Sequence, residues 1–143
     1  MEQRISLITL GVADLQRAAD FYEQVVGWKA KPSPPGVVFF DLDGVVFALW
    51  PHEELAKDLG MTAGSLPAYR GYSLAHNVRS EAEVEGIFAR LRIHRATIVK
   101  EPHKTFWGGY SGYFSDPDGH TWEIAHNPFW TIRQDGRISM QKE

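Results

Sequence analysis

Apolar residues in this chain switch between two periods, and the switches mark its elements. Residues 5–12 are mostly apolar and end near the small Gly11, which predicts a strand. The period then changes: Leu15, Ala18, Ala19, Tyr22, Val25 and Val26 recur at helical spacing. Asp14, just before this stripe, can accept the free amides of a first helical turn, and Gly27 can close the helix. Residues 28–31 read as a short strand before the breaker run Pro32-Ser33-Pro34-Pro35-Gly36. Apolar runs at 37–42 and 45–50 flank Asp43-Gly44, the signal of a tight hairpin. Residues 52–60 read as a short surface helix, and 61–70, with Gly64 and Pro67, as a linker.

The same order then returns. Residues 72–78 predict a strand, and Ser80 with Glu83 three positions later predicts a capping box. Val84, Ile87, Phe88 and Leu91 form the next apolar stripe, with Arg90, Arg92 and Arg95 placed where positive charge complements the helix dipole. Residues 96–100 predict a strand and 101–109 a loop. A hairpin of 110–115 and 120–126 follows, across Asp116-Pro117-Asp118-Gly119. The chain is thus expected to be α+β, a single domain of two tandem βαβββ modules. Module one spans about 4–60, the linker 61–70 and module two about 71–127, with a C-terminal tail, 128–143, that has no counterpart in module one.

A duplicated unit predicts two matching surfaces facing a shared cleft. Overlaying the modules on their caps matches Asp14 with Ser80, hence Leu7 with Ser73 and Thr9 with Ala75. Overlaying them on their turns matches Gly44 with Gly119, hence Ala48 with Glu123 and Trp50 with Ala125. Strand alternation puts Ile8 and Leu10 under the first helix and Leu7 and Thr9 on the opposite face. Leu7, Ala48, Ser73 and Glu123 are then expected to share the cleft-lining face.

Composition narrows the function classes. A length of 143 residues, 43% hydrophobic and 23% charged, is enough for a real core without staples. The net charge of −3 offers no basic surface to a nucleic acid or an anionic membrane. No run approaches membrane-spanning length, and Met1-Glu2-Gln3-Arg4 lacks an apolar signal core. Zero cysteines exclude disulfides, thiolate ligands and a cysteine nucleophile, which fits a cytoplasmic protein. Phosphate loops, nucleophile elbows and nucleotide fingerprints are also absent; Gly108-Gly109 alone is weak.

Two segments, 12–22 (Val-Ala-Asp-Leu-Gln-Arg-Ala-Ala-Asp-Phe-Tyr) through Val26-Gly27-Trp28, and 112–123 (Gly-Tyr-Phe-Ser-Asp-Pro-Asp-Gly-His-Thr-Trp-Glu), carry a resemblance. Together with the repeat they make the chain, over roughly 4–127, similar to the vicinal oxygen chelate superfamily of glyoxalases, bleomycin- and fosfomycin-resistance proteins and extradiol dioxygenases. The resemblance implies curled mixed sheets around a cleft and a two-fold homodimer. It implies a reaction far less, because one fold hosts many chemistries.

Metal-dependent members of that superfamily place a ligand on the first and last strand of each module. Those places hold Leu7, Ala48, Ser73 and Glu123 here. A chemically active divalent metal wants about three His or carboxylate ligands, so a metal cofactor is not expected. The reading that follows is metal-independent binding of a small organic, partly aromatic molecule, with Leu7, Thr9, Ala48, Trp50, Ser73, Trp107, Tyr110 and Glu123 as candidate ligand-binding residues. Glu123 is the candidate catalytic group, as a general base or cation anchor in an apolar cleft; an inherited carboxylate bonded to a neighbour such as Ser73 or Thr9 is the other reading. The alternative function is an enzyme: a glyoxalase-like lyase, a dioxygenase, or a metal-free isomerase using Glu123. Of the histidines, His76, His120 and His126 fall on the faces opposite Glu123 and read as core residues; His103 lies on the aromatic loop. Phe129 and Trp130 mark the tail as an interface or lid.

Overall fold

A computed structural model describes residues 1–140. The chain is α+β and folds as two compact units, Met1–Ala68 and a second beginning at Tyr69.

In the first unit, strand β1 (Leu7–Val12) leads into helix α1 (Leu15–Asp20). The Asp14 carboxylate accepts the Arg17 amide at 2.9 Å, satisfying one of the orphan donors of the first turn. The helix runs on as a π-helical segment, Phe21–Val26, and Gly27 stops it in the left-handed region at φ 90°. The Gly27 amide reaches back to the Tyr22 carbonyl at 3.0 Å, a five-residue step that closes the widened turn. Strands β2 (Val38–Asp41) and β3 (Val46–Pro51) form the expected hairpin. Asp43 and Gly44 both take positive φ, 56° and 108°, and the Leu42 amide bonds the Val45 carbonyl at 2.9 Å. That is the twist-matched two-residue turn. Helix α2 (His52–Asp58) follows β3 directly.

Sheet order is β1-β3-β2, with β1 parallel to β3. The strand expected at 28–31 is reduced to one bridge, Lys31 to Phe39. The Trp28 amide bonds the Tyr22 carbonyl at 3.0 Å and the Ala30 amide the Glu23 carboxylate at 3.4 Å, so neither joins the ladder, and Pro32 beyond the bridge has no amide to extend it. Register puts Phe40, Phe47 and Leu49 on the helix-covered face. There Tyr22, which is fully buried, stacks on Trp28 at 5.5 Å and meets Phe47 at 5.0 Å, while Trp28 meets Phe47 edge-on at 5.4 Å. Each such ring pair contributes about 0.5–1.5 kcal/mol beyond area burial.

The second unit has strand order β4-β7-β6-β5, from β4 (Leu74–Asn77), β5 (Thr97–Lys104), β6 (Tyr110–Ser115) and β7 (Thr121–His126), with helix α3 (Glu81–Ile93) between β4 and β5. Ser80 Oγ accepts the Glu83 amide at 3.2 Å, and the Glu83 carboxylate returns to the Arg79 amide at 3.1 Å, one residue earlier than a capping box has it. Val84, Phe88 and Leu91 are buried against the sheet. Phe88 comes so close that a Cβ on Gly112 would lie 2.6 Å from its Cζ; this strand glycine is a packing requirement.

β5 runs four residues beyond the expected end at residue 100, through register shifts between Ile98 and His103. Asp116 is buried, and its carboxylate accepts the Asp118 and His120 amides, both at 2.9 Å, which holds the β6–β7 turn. The tail forms a small hairpin of β8 (Thr131–Ile132) and β9 (Ile138–Ser139).

Candidate functional site

The two central strands, β3 and β7, set the geometry. In the first unit the register aligns Thr9, Ala48 and Phe39 in one cross-strand row, and the bridge adds Lys31 at its outer end. In the second unit the corresponding row is Ala75, Glu123, Tyr113 and Lys100. Directly opposed strand residues share a face, so both rows lie away from their helices. The face expected for Leu7, Thr9, Ala48 and Glu123 is therefore the one found within each sheet.

Within the second unit, Tyr113 lies directly opposite Glu123 across the β6–β7 ladder. Burial pushes the Tyr113 phenol above its ordinary range, with the negative charge of Glu123 adding to it. Glu123 is half-buried, and its cross-strand neighbours are Tyr113 and Ala75. Tyr113 was missed from sequence, although it lies within the 112–123 segment; only the register shows that it opposes Glu123. Ser73 is exposed and lies just before β4, and Ala75 is the β4 residue opposite Glu123.

Within the first unit, Leu7 opposes Val46 and keeps 49% of its surface exposed. It belongs to an open concavity of about 560 Å³ whose lining includes Lys31, Pro32, Phe39, Asp41 and Val46. Ala48 is buried beneath this face, and Trp50 lies two residues on, opposite Gly11. Phe39 and Val46 carry no motif; they were legible only as members of the hairpin.

Two candidates are placed elsewhere. Tyr110 pairs with His126 on the helix-covered side, and its hydroxyl donates to Glu85 of α3. Its strand parity is opposite to that of Glu123, so it is removed from the candidate face. Trp107 is half-buried with its ring over Gly109, where any Cβ would clash with it. Its role is to fill the β5–β6 turn.

His120 is buried and bonded through Nδ1 to the Tyr72 hydroxyl, a satisfied core histidine. His126 Nδ1 meets the Val78 carbonyl at 3.2 Å. His76 is exposed rather than core, yet burial of its ring still pushes it below the ordinary imidazole range, opposed by the charge of Glu83. His103 lies in β5 beside the Glu101 carbonyl at 3.1 Å.

The donor set does not suit a divalent metal. Leu7 and Ala48 offer no lone pair, and among the described residues no three His, Cys, Asp or Glu side chains gather as a metal site. No helix among the described residues is long and apolar enough to cross a membrane.

Residues 4–124 match the glyoxalase/bleomycin resistance protein/dioxygenase superfamily, and the chain belongs to that family. Among solved structures it is similar to a glyoxalase-related enzyme from Fulvimarina pelagi, 37% identical with a TM-score of 0.86, over 96% of this chain and 98% of that one. The metallothiol transferase FosB of Lysinibacillus sphaericus is 26% identical over 122 residues, 85% of this chain and 81% of the transferase. A lactoylglutathione lyase from Agrobacterium tumefaciens, at 23% identity and a TM-score of 0.72 over 93% of this chain and all (100%) of that one, shares the fold.

Proposed function

We propose that this family member binds a small, largely apolar organic molecule without a metal ion, on the Leu7–Val46 face of its first unit. The concavity there carries the reading: its apolar residues include a half-exposed leucine at a place where metal-dependent relatives would need a donor. A flat or branched organic molecule gains burial against Leu7, Phe39, Pro32 and Val46 at about 25 cal/mol per Å² of apolar area. The test is native mass spectrometry and metal analysis of the purified protein. Substoichiometric metal with a retained organic adduct supports the reading; one tightly held Zn, Ni, Fe or Mn per chain overturns it.

A second reading, catalysis, is favoured by one observation: Glu123 and Tyr113, a carboxylate and a phenol, stand directly opposite each other on the second sheet. The names of the relatives, a transferase and a glyoxalase-related enzyme, point the same way. A metal-free isomerisation would use Glu123 as the base and Tyr113 to orient it. Glu123→Gln that keeps ligand affinity but loses turnover on oxo-compounds would establish catalysis; unchanged turnover would dismiss it. The reading also takes the protein as a cytoplasmic homodimer, with the exposed Phe106, Phe129 and Trp130 as candidate contacts. Light scattering after size exclusion measures the mass directly.

A further inference from the structure

Lys31 ends the row Thr9–Ala48–Phe39–Lys31 and lines the apolar concavity. Its backbone is held from two sides. The Lys31 amide donates to the Phe39 carbonyl at 2.8 Å, and Ser33 Oγ donates to the Lys31 carbonyl at 2.7 Å. The same hydroxyl accepts the Phe39 amide at 3.1 Å, so a single serine fixes both row neighbours. Pro32 next in sequence holds Lys31 extended.

Among the described residues the Lys31 ammonium makes no ion pair. The acidic residue in the same concavity, Asp41, spends one carboxylate oxygen on the Asp43 amide at 3.1 Å, as part of the hairpin turn. The row thus carries one cation on an otherwise uncharged series, whereas the row of the second unit holds both a lysine, Lys100, and a carboxylate, Glu123, with Tyr113 between them.

We infer that the ligand of this face is an organic anion: an apolar body seated against Leu7, Phe39 and Val46, with an oxyanionic group such as a carboxylate or sulfonate held by Lys31. This rests on the binding reading above and deepens it by assigning the charge of the ligand and the residue that selects it. Lys31 is exposed, so its ammonium discriminates an anion from a neutral molecule of the same shape on the scale of a surface ion pair.

The test uses two fluorescent probes of similar shape on the full chain. One is the anion 8-anilinonaphthalene-1-sulfonate, the other the uncharged N-phenyl-1-naphthylamine. The expected result is that Lys31→Gln weakens the sulfonate about fivefold, the scale of one partly exposed ion pair, and leaves the neutral probe within about twofold. Lys29→Gln, which changes net charge equally, leaves both unchanged, and raising salt weakens only the sulfonate. Leu7→Ala weakens both probes. If Lys31→Gln leaves sulfonate affinity unaltered, or weakens the two probes equally, the anion assignment is overturned while the binding reading stands. If neither probe binds the wild type, both are overturned. Circular dichroism of each variant confirms that folding is retained.

Discussion

The two sheets share a plan and differ in chemistry. In each, a central strand pairs parallel with the unit's first strand and antiparallel with its hairpin partner. Position by position, Thr9–Ala48–Phe39–Lys31 in the first sheet corresponds to Ala75–Glu123–Tyr113–Lys100 in the second, each on the side of its own sheet away from the helix. The first row is uncharged up to its last member, Lys31; the second holds a carboxylate directly opposite a phenol. The difference also extends underneath. The first sheet has three strands and covers an aromatic cluster of Tyr22, Trp28, Phe40 and Phe47. The second has four strands, and ion pairs tie β5 to α3: Arg92 to Glu101 and Lys104 to Glu81. Duplication conserved the backbone geometry and left the faces free to specialise, because parity constrains only which side a residue occupies.

The sharpest way to break the comparison is to remove a ring from the first core. Phe47→Ala is expected to cost about 3–5 kcal/mol, since four rings meet there and cannot all close the void. Urea denaturation followed by tryptophan fluorescence measures it, and a loss below about 1 kcal/mol would contradict the packing described.

A pair of glycines tests the second unit. Gly112→Ala is expected to destabilise by about 1–3 kcal/mol, because its Cβ would meet Phe88 and the backbone of Lys100 and Pro102. Gly86→Ala, on the open side of α3 with nothing within 4 Å, should instead stabilise by about 0.5–1 kcal/mol. Opposite signs in the same thermal melts are the expected outcome.

The caps come next in size. Asp14→Ala and Ser80→Ala are each expected to lose about 1 kcal/mol, since each side chain satisfies an orphan amide. A loss in one unit only would show that the repeat is not symmetric in its local energetics.

The smallest effect concerns pH. The folded state holds the His76 imidazole below its ordinary range, chiefly by burial, so the unfolded chain binds its proton more readily. Stability from this group is present above pH 6.5, the unfolded value, and declines as pH falls through the lower folded value. His76→Gln should flatten that decline between pH 7 and 5; an unaltered slope in urea titrations would assign it to other groups.

Much of this could be read along the chain. Asp14 and Ser80 as caps, Gly27 as a stop and Asp43-Gly44 as a tight turn are local chemistry, decided by whether one residue can accept an amide or take positive φ. The parity of Leu7 and Glu123 followed from those landmarks. Other features were not local. The strand at 28–31 shrank to one bridge because the Trp28 and Ala30 amides bond Tyr22 and Glu23 at the end of the first helix instead. The π-helical turn at Phe21–Val26 has no sequence sign of its own, and it positions Tyr22 in the ring cluster. The side of Tyr110 was not legible without a register; the ladder with His126 and the bond to Glu85 place it on the helix side.

Linear order thus decided the family, the duplication and the poverty of metal donors at Leu7 and Ala48, since these depend on which side chains exist and how far apart they lie. Folding in three dimensions decided the neighbours: Tyr113 across from Glu123, Lys31 at the end of the Thr9–Ala48–Phe39 row, Phe88 against Gly112. Pairing between strands brings together residues distant in sequence, and a hydrogen bond or an isolated charge is a property of the pair and its surroundings, which no single position carries.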